Sequence, residues 1–155
     1  RNISNYKNIQ AFNFGLGSKN GDFKIYLSKD DENFGGVSFY PNTIGNKADP
    51  FESCRVMDIN KVFEDLNIKT IDLIKIDTEG AEFDILTSME DKILQNVSWI
   101  TGELHGNRDF ELLTYLDKLG FSISLNKKID NRLFMFHAGK PKIFSQLSKK
   151  DIRAL

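Results

Sequence analysis

The chain has 155 residues, 40% of them hydrophobic and only three of them Pro, which suits one ordinary globular domain with a single core rather than a disordered or repetitive protein. Lys plus Arg number 21 against 22 Asp plus Glu, a formal net charge of -1, so no basic surplus exists for a nucleic-acid backbone. The single cysteine, Cys54, excludes an internal disulfide and a cysteine zinc site, and no apolar stretch approaches the roughly 18 residues of a membrane span, which points to a soluble protein of the reducing cytoplasm.

The opening "RNISNYKNIQ" has no methionine and no signal-peptide pattern and reads like the middle of a domain, so the chain is expected to be a fragment. Residues 9–16 predict a first strand. Asn20-Gly21 after it is a hairpin cue, because both residues tolerate positive φ. Phe23, Ile25 and Leu27 then alternate with Lys24 and Tyr26, as in a half-exposed antiparallel strand. Residues 28–53, rich in Gly, Pro, Asn and Ser, read as a long loop and a candidate lid. Asp58 fits the N-cap of a helix carrying Ile59, Val62, Phe63 and Leu66 on one face and ending near Asn67.

"TIDLIKID" predicts the next strand, and its Ile71, Leu73, Ile74 and Ile76 suggest burial on both faces, the habit of a parallel sheet. A helix burying Ile85, Leu86 and Met89 follows, then a short turn with Ile93 and Leu94. Residues 97–104 form a further strand, which leads through "HGNRD" into a helix with Leu112, Leu113, Leu116 and Leu119, stopped by Gly120 at the C′ position. "FSISL" and "RLFMFH" pair across "NKKIDN" as an antiparallel hairpin, and a tail from Lys140 carries Ile143, Phe144, Leu147 and Ile152 at helical spacing. The pattern is an α/β open sheet, with residues 1–139 as one domain and 140–155 as a helical tail.

"LIKIDTEGAEFDIL", residues 73–86, loads Asp77, Glu79, Glu82 and Asp84 onto the end of an apolar strand. Open α/β sheets bind ligands at the carboxyl ends of their strands, where Asp77 falls, and a carboxylate losing solvation there is paired or functional. Glu82, in the first helical turn, reads as a partner of the helix macrodipole, worth about 0.3–1 kcal/mol. The following strand ends in "GELHG", so a right-handed crossover to a parallel neighbour brings Glu103 and His105 to the same edge. Asp77, Glu79, Glu103 and His105 thus form the candidate catalytic set, with acid, base and metal-ligand ability. Asp77 and Glu103 could together hold a divalent metal. His137, inside the last apolar strand, and Cys54 read as structural.

At these residues the sequence resembles the FkbM family of methyltransferases. "AFNFGLGSKNGDFKIYLS" is similar to the family's strand, small-residue turn and Gly-Asp hairpin, and "GGVSF" to its glycine-serine loop. "IDLIKIDTEGAEFDIL" resembles its signature, matched at Lys75, Asp77, Glu79, Gly80 and Glu82, and "SWITGELH" resembles its next strand. The resemblance implies a Rossmann-like class I sheet, mostly parallel, and methyl transfer from S-adenosylmethionine to the hydroxyl of a sugar, lipid-linked glycan or small metabolite. It further implies cofactor contacts at Phe14, Gly15, Leu16, Asp77 and Thr78. A homo-oligomer is compatible with it.

The family's opening strands, with a glycine-rich turn before the cofactor, have no counterpart in these residues, which resemble the portion from the third strand to the seventh. This stretch alone is therefore expected to bind the cofactor weakly and to be inactive by itself. Two other classes compete. A non-catalytic truncated domain needs no complete site. A two-metal exonuclease of the Asp-Glu-Asp-Asp type would use Asp77 and Glu79 with Asp109 or Asp117, but Gly80-Ala81-Glu82 leads into a helix where that fold needs a hairpin.

Overall fold

In the computed structural model, which describes residues 3, 5–27, 37–38, 51–105, 108–127 and 134–144, the strands form two mixed four-stranded sheets. The first holds β1 (Gly15–Gly17), β2 (Gly21–Leu27), β3 (Val37–Ser38) and β4 (Phe51–Asp58), in the order β1-β4-β2-β3. Two expectations are corrected here. The first strand has three residues instead of eight, because Ile9 and Phe12 find no covering layer and stay exposed.

Asn20-Gly21 does not close a hairpin between consecutive strands, since β4 lies between β1, its parallel partner, and β2, its antiparallel one. Positive φ among the described residues is confined to Asn67, Glu79, Gly80 and Gly120. Asn20 instead uses its side chain: Oδ1 accepts the Asp58 N–H at 2.7 Å and ties the turn to the end of β4. β4 takes the last three residues of the expected loop into a strand. Residues 28–36 and 39–50, the rest of the candidate lid apart from β3, lie outside the described residues.

Helix α1 (Ile59–Asp65) starts where its cap predicts. Asp58 Oδ1 accepts the N–H groups of Asn60 and Lys61 at 2.9 and 3.2 Å, and Ile59, Val62 and Phe63 turn inward. The Asn60 amide bolts this helix to the next layer. Its Nδ2 donates to Ser88 O at 2.8 Å while Oδ1 accepts the Glu90 N–H at 2.9 Å, holding α1 against the junction of α2 (Glu82–Ser88) and α3 (Asp91–Leu94).

The second sheet has the order β5-β6-β8-β7, with β5 (Leu73–Ile76), β6 (Trp99–Leu104), β7 (Ser122–Lys127) and β8 (Phe134–Gly139). β5 and β6 are parallel, Leu73 facing Trp99 and Ile76 facing Gly102, while β7 and β8 form the expected antiparallel hairpin. Of the pairings between described strands, β1–β4 and β5–β6 are parallel and four are antiparallel, fewer parallel ladders than a mostly parallel sheet implies. β5 is also an edge strand. Leu73 is 57% exposed and only Ile76 is buried, so the apolar run does not mean burial on both faces.

Helix α4 (Asp109–Lys118) ends in a Schellman motif, with Gly120 at φ 81 donating to Asp117 O and Phe121 to Leu116 O. Its Leu112 and Leu116 join Leu86, Leu94, Ile100, Leu104 and Phe136 in one fully buried core. His137 is buried on the opposite face of β8 from Phe136: its Nδ1 sits 2.9 Å from Thr101 Oγ1 across the β6–β8 ladder, and burial lowers its pKa, which favours the neutral ring. The chain continues into a short helix α5 (Pro141–Phe144), and residues 145–155 lie outside the described part. No helix among the described residues is long and apolar enough to cross a membrane.

Gly102 sets how closely β5 approaches β6. A Cβ there would stand 2.4 Å from the Ile76 carbonyl oxygen, 2.7 Å from Ile76 Cγ2 and 2.8 Å from Phe136 Cε1. Gly102→Ala is therefore expected to lower stability by about 1–3 kcal/mol in urea unfolding, the usual range for overpacking a filled core. An unchanged midpoint would mean that the sheet has slack at this crossing.

Candidate functional site at the ends of two parallel strands

Parallel pairing in register brings the carboxyl ends of β5 and β6 side by side. Asp77 follows the last residue of β5, Glu103 is the penultimate residue of β6, and His105 comes directly after that strand. One ligand atom from each of Asp77, Glu103 and His105 lies within 4.8 Å of the others. Lys75 points to the same edge and pairs with Asp77 at 3.6 Å, an exposed contact of small energetic weight.

The turn from β5 into α2 is built on left-handed backbone, Glu79 at φ 52 and Gly80 at φ 110. Gly80 adopts this freely, whereas Glu79 stores strain of about 1–3 kcal/mol that the surroundings must hold. Glu82 holds it. The Thr78 N–H donates to Glu82 Oε1 at 2.8 Å, the Thr78 hydroxyl to the same oxygen at 3.1 Å, and the Gly80 N–H to Oε2 at 3.0 Å. Ala81, at the N-cap, has no side chain able to accept, and the Glu82 carboxylate takes the N–H groups of the turn that leads into the helix.

His105 completes the arrangement. Its Nδ1 lies 3.4 Å from Glu82 Oε1 and its Nε2 3.7 Å from Glu79 Oε2, with the side chains of both Glu82 and His105 almost fully buried. This corrects the sequence expectation for Glu82. It is 1% exposed and is the acceptor around which the turn is wrapped, not a solvated partner of the helix dipole. The signal in the sequence is a tight glycine turn directly before the helix, whose backbone N–H groups need an acceptor that the carboxylate two residues after the glycine can supply.

Burial works against charge on Glu82, but the hydrogen bonds from His105, Thr78, its own backbone and Gly80 outweigh it and lower its pKa. Burial also opposes charge on His105. The hydrogen bond to Glu82 and the negative field of Glu79, Glu82 and Glu103 prevail, and its pKa is raised. Glu79 is raised as well, first by burial, which the His105 charge opposes, and then by Asp77, Glu103 and Glu82. The fourth acid of the run, Asp84, faces away. It lies 3.7 Å from Arg108, whose guanidinium stacks on Phe83 at 3.5 Å and bonds Glu111 at 2.8 Å, so it helps fix the start of α4.

Beside this charged edge lies an apolar cavity of about 530 Å³ between the two sheets. Leu16 of β1, Ile59 and Phe63 of α1 and Ile74 of β5 wall it, and Asp77 and Thr78 supply polar groups to its lining. Of the residues expected near a cofactor, Leu16, Asp77 and Thr78 thus share one cavity, whereas Phe14 and Gly15 are not part of its wall. Phe14 packs on Phe12 at 5.5 Å instead. Cys54 remains a free, half-buried thiol.

The family model described as Methyltransferase FkbM domain matches residues 2–123. Among curated proteins, the AMB antimetabolite synthetase AmbE of Pseudomonas aeruginosa is 31% identical to this chain over 114 residues, 66% of this chain and 5% of that protein. The chain thus spans about one-twentieth of that relative's length. No solved structure matches it.

Glu82 and Asp77 differ in what their carboxylates support, and a pair of near-isosteric substitutions separates them. Glu82→Gln leaves one acceptor oxygen for donors that now use two and turns an amide toward them, so it is expected to lose about 2–4 kcal/mol by urea unfolding. Asp77→Asn, at an exposed rim, should shift stability by less than about 0.5 kcal/mol. Equal effects from both would contradict the buried hub.

Proposed function

Because the chain belongs to the methyltransferase FkbM domain family, we propose that the full-length protein carrying it transfers a methyl group from S-adenosylmethionine to a hydroxyl group of a sugar or small metabolite at the Asp77–Glu103–His105 edge. The observation that carries the reading is the convergence of these three side chains, within 4.8 Å, at the carboxyl ends of two parallel strands. We read β1, β4, β5 and β6 as parts of a Rossmann-like sheet, with the cavity between β1 and β5 as the cofactor side of the crevice.

The residues present fit one side of such a cofactor. The cavity volume falls in the range of about 300–1,000 Å³ usual for small-molecule sites, its walls suit a flat apolar base, and Asp77 and Thr78 offer partners for hydroxyl or amino groups. Bound there, S-adenosylmethionine supplies a sulfonium methyl group open to in-line displacement.

The protein's own part is to hold and deprotonate the acceptor. Asp77 and Glu103, on neighbouring strand ends, fix the direction of the hydroxyl. Glu79 would accept the proton of that hydroxyl as its oxygen acts as the nucleophile. Its raised pKa makes Glu79 a better proton acceptor than an ordinary carboxylate. His105, whose pKa the neighbouring glutamates raise against the effect of burial, is in this reading the positioning partner of Glu79.

Methyl-labelled S-adenosylmethionine, incubated with the full-length protein and a panel of sugars and small metabolites paired with their deoxy counterparts, tests this directly. Label is expected on a hydroxyl compound and not on its deoxy partner. Glu79→Gln and Asp77→Asn should each lower kcat/KM by about 10²–10⁴, the usual contribution of a positioned base or orienting group. Label passing to amines or carbon acceptors while every hydroxyl compound stays inert would overturn the assignment, as would near-normal turnover in Asp77→Asn.

A further inference from the structure

We propose that Asp77, Glu103 and His105 bind one divalent cation of the Mn²⁺ type, with Nε2 of His105 as the nitrogen ligand and buried Glu82 as the group that orients it. The first support is geometric. The three ligand atoms lie within 4.8 Å of one another, and a cation at about 2.1–2.5 Å from each needs them only about 1 Å closer, which the exposed Asp77 side chain can provide.

The second support is how His105 is held. A histidine that binds a metal through one nitrogen characteristically donates its other N–H to a carboxylate that fixes ring orientation and tautomer. Glu82 stands in that position, 3.4 Å from Nδ1, and is itself pinned by Thr78 and Gly80. Nε2 is thereby turned away from the core toward Glu79, at 3.7 Å. Charge-assisted hydrogen bonds run at about 2.7–2.9 Å, so at 3.7 Å Glu79 does not close on Nε2, and a cation can stand there in place of the proton.

Two carboxylates and one imidazole are a mixed oxygen and nitrogen set. Mn²⁺ suits it better than Mg²⁺, which prefers oxygen and water, and no thiolate is present to favour softer ions. The remaining coordination positions are open to a hydroxyl oxygen. Resting on the methyl-transfer reading above, the cation would bind the acceptor hydroxyl and lower its pKa, with Glu79 beside it to take the proton.

Metal binding is measured without any substrate. The full-length protein is stripped with chelator, titrated with MnCl₂ while free Mn²⁺ is followed by electron paramagnetic resonance, and pulsed resonance is then used to detect nitrogen coupling. One Mn²⁺ per chain with coupling to a single imidazole is expected. His105→Gln should remove the coupling and, like Asp77→Asn, weaken binding about tenfold or more. Asp84→Asn, outside the set, should leave it unchanged. No bound Mn²⁺ at millimolar concentration, or equal binding by His105→Gln, Asp77→Asn and the parent protein, would overturn the site. Methyl transfer undiminished by chelator would overturn the cation's part in binding the hydroxyl. Because Mn²⁺ is titrated without cofactor or acceptor, failure to bind it leaves the methyl-transfer reading standing, and a protein that binds Mn²⁺ yet transfers no methyl group sinks that reading alone.

Discussion

The Glu82 carboxylate is a buried charge whose removal would leave a whole turn without acceptors. Its two oxygens take the N–H groups of Thr78 and Gly80, the Thr78 hydroxyl and the His105 ring, so the cost of bringing a carboxylate out of water is offset by donors that would otherwise be orphaned. The same bonds hold Glu79 in left-handed backbone and set His105 beside it. Strain, buried charge and ring orientation at this edge are one structural unit. It is built from five consecutive residues of one strand–helix turn and a single residue directly after the next strand.

That unit works only because the two strands carrying it are close and in register. Gly102 lets the backbone of β6 approach Ile76 where any side chain would collide, and the parallel ladder then carries Asp77 to the level of Glu103. Asn60 fixes α1 to the end of α2, which sets Ile59 and Phe63 as one wall of the cavity beside the charged edge. An apolar cleft and an acidic rim therefore meet at Asp77 and Thr78. The cleft can receive a flat, weakly polar group, while the rim can align and deprotonate a hydroxyl.

Several local features were legible in the residues. The Asp58 cap, the inward face of α1, the Gly120 stop of α4 and the terminal hairpin all follow from patterns within about four residues, where side chain and backbone decide the matter between themselves. The meeting of Asp77 with Glu103 and His105 was legible too, because a strand, a short helical crossover and a second strand admit essentially one handedness. Misreadings arose where a local signal competed with a distant partner. Asn20-Gly21 has hairpin chemistry, yet β4 takes the place beside β2, and the apolar run of β5 sits at a sheet edge because, among the described strands, only β6 pairs with it.

The sequence by itself determined the succession of elements from Asp58 onward, the acidic strand end and the family, since each rests on residue types at fixed short spacings, whereas β4 became a strand only through its partners β1 and β2. Tertiary structure alone decided that Glu82 is buried while Asp84, two residues on, is exposed and held by Arg108. It also decided that Leu16 and Asp77, 61 positions apart, border one cavity. Burial and proximity across such separations depend on which surfaces the rest of the chain covers, and composition at one position does not encode that.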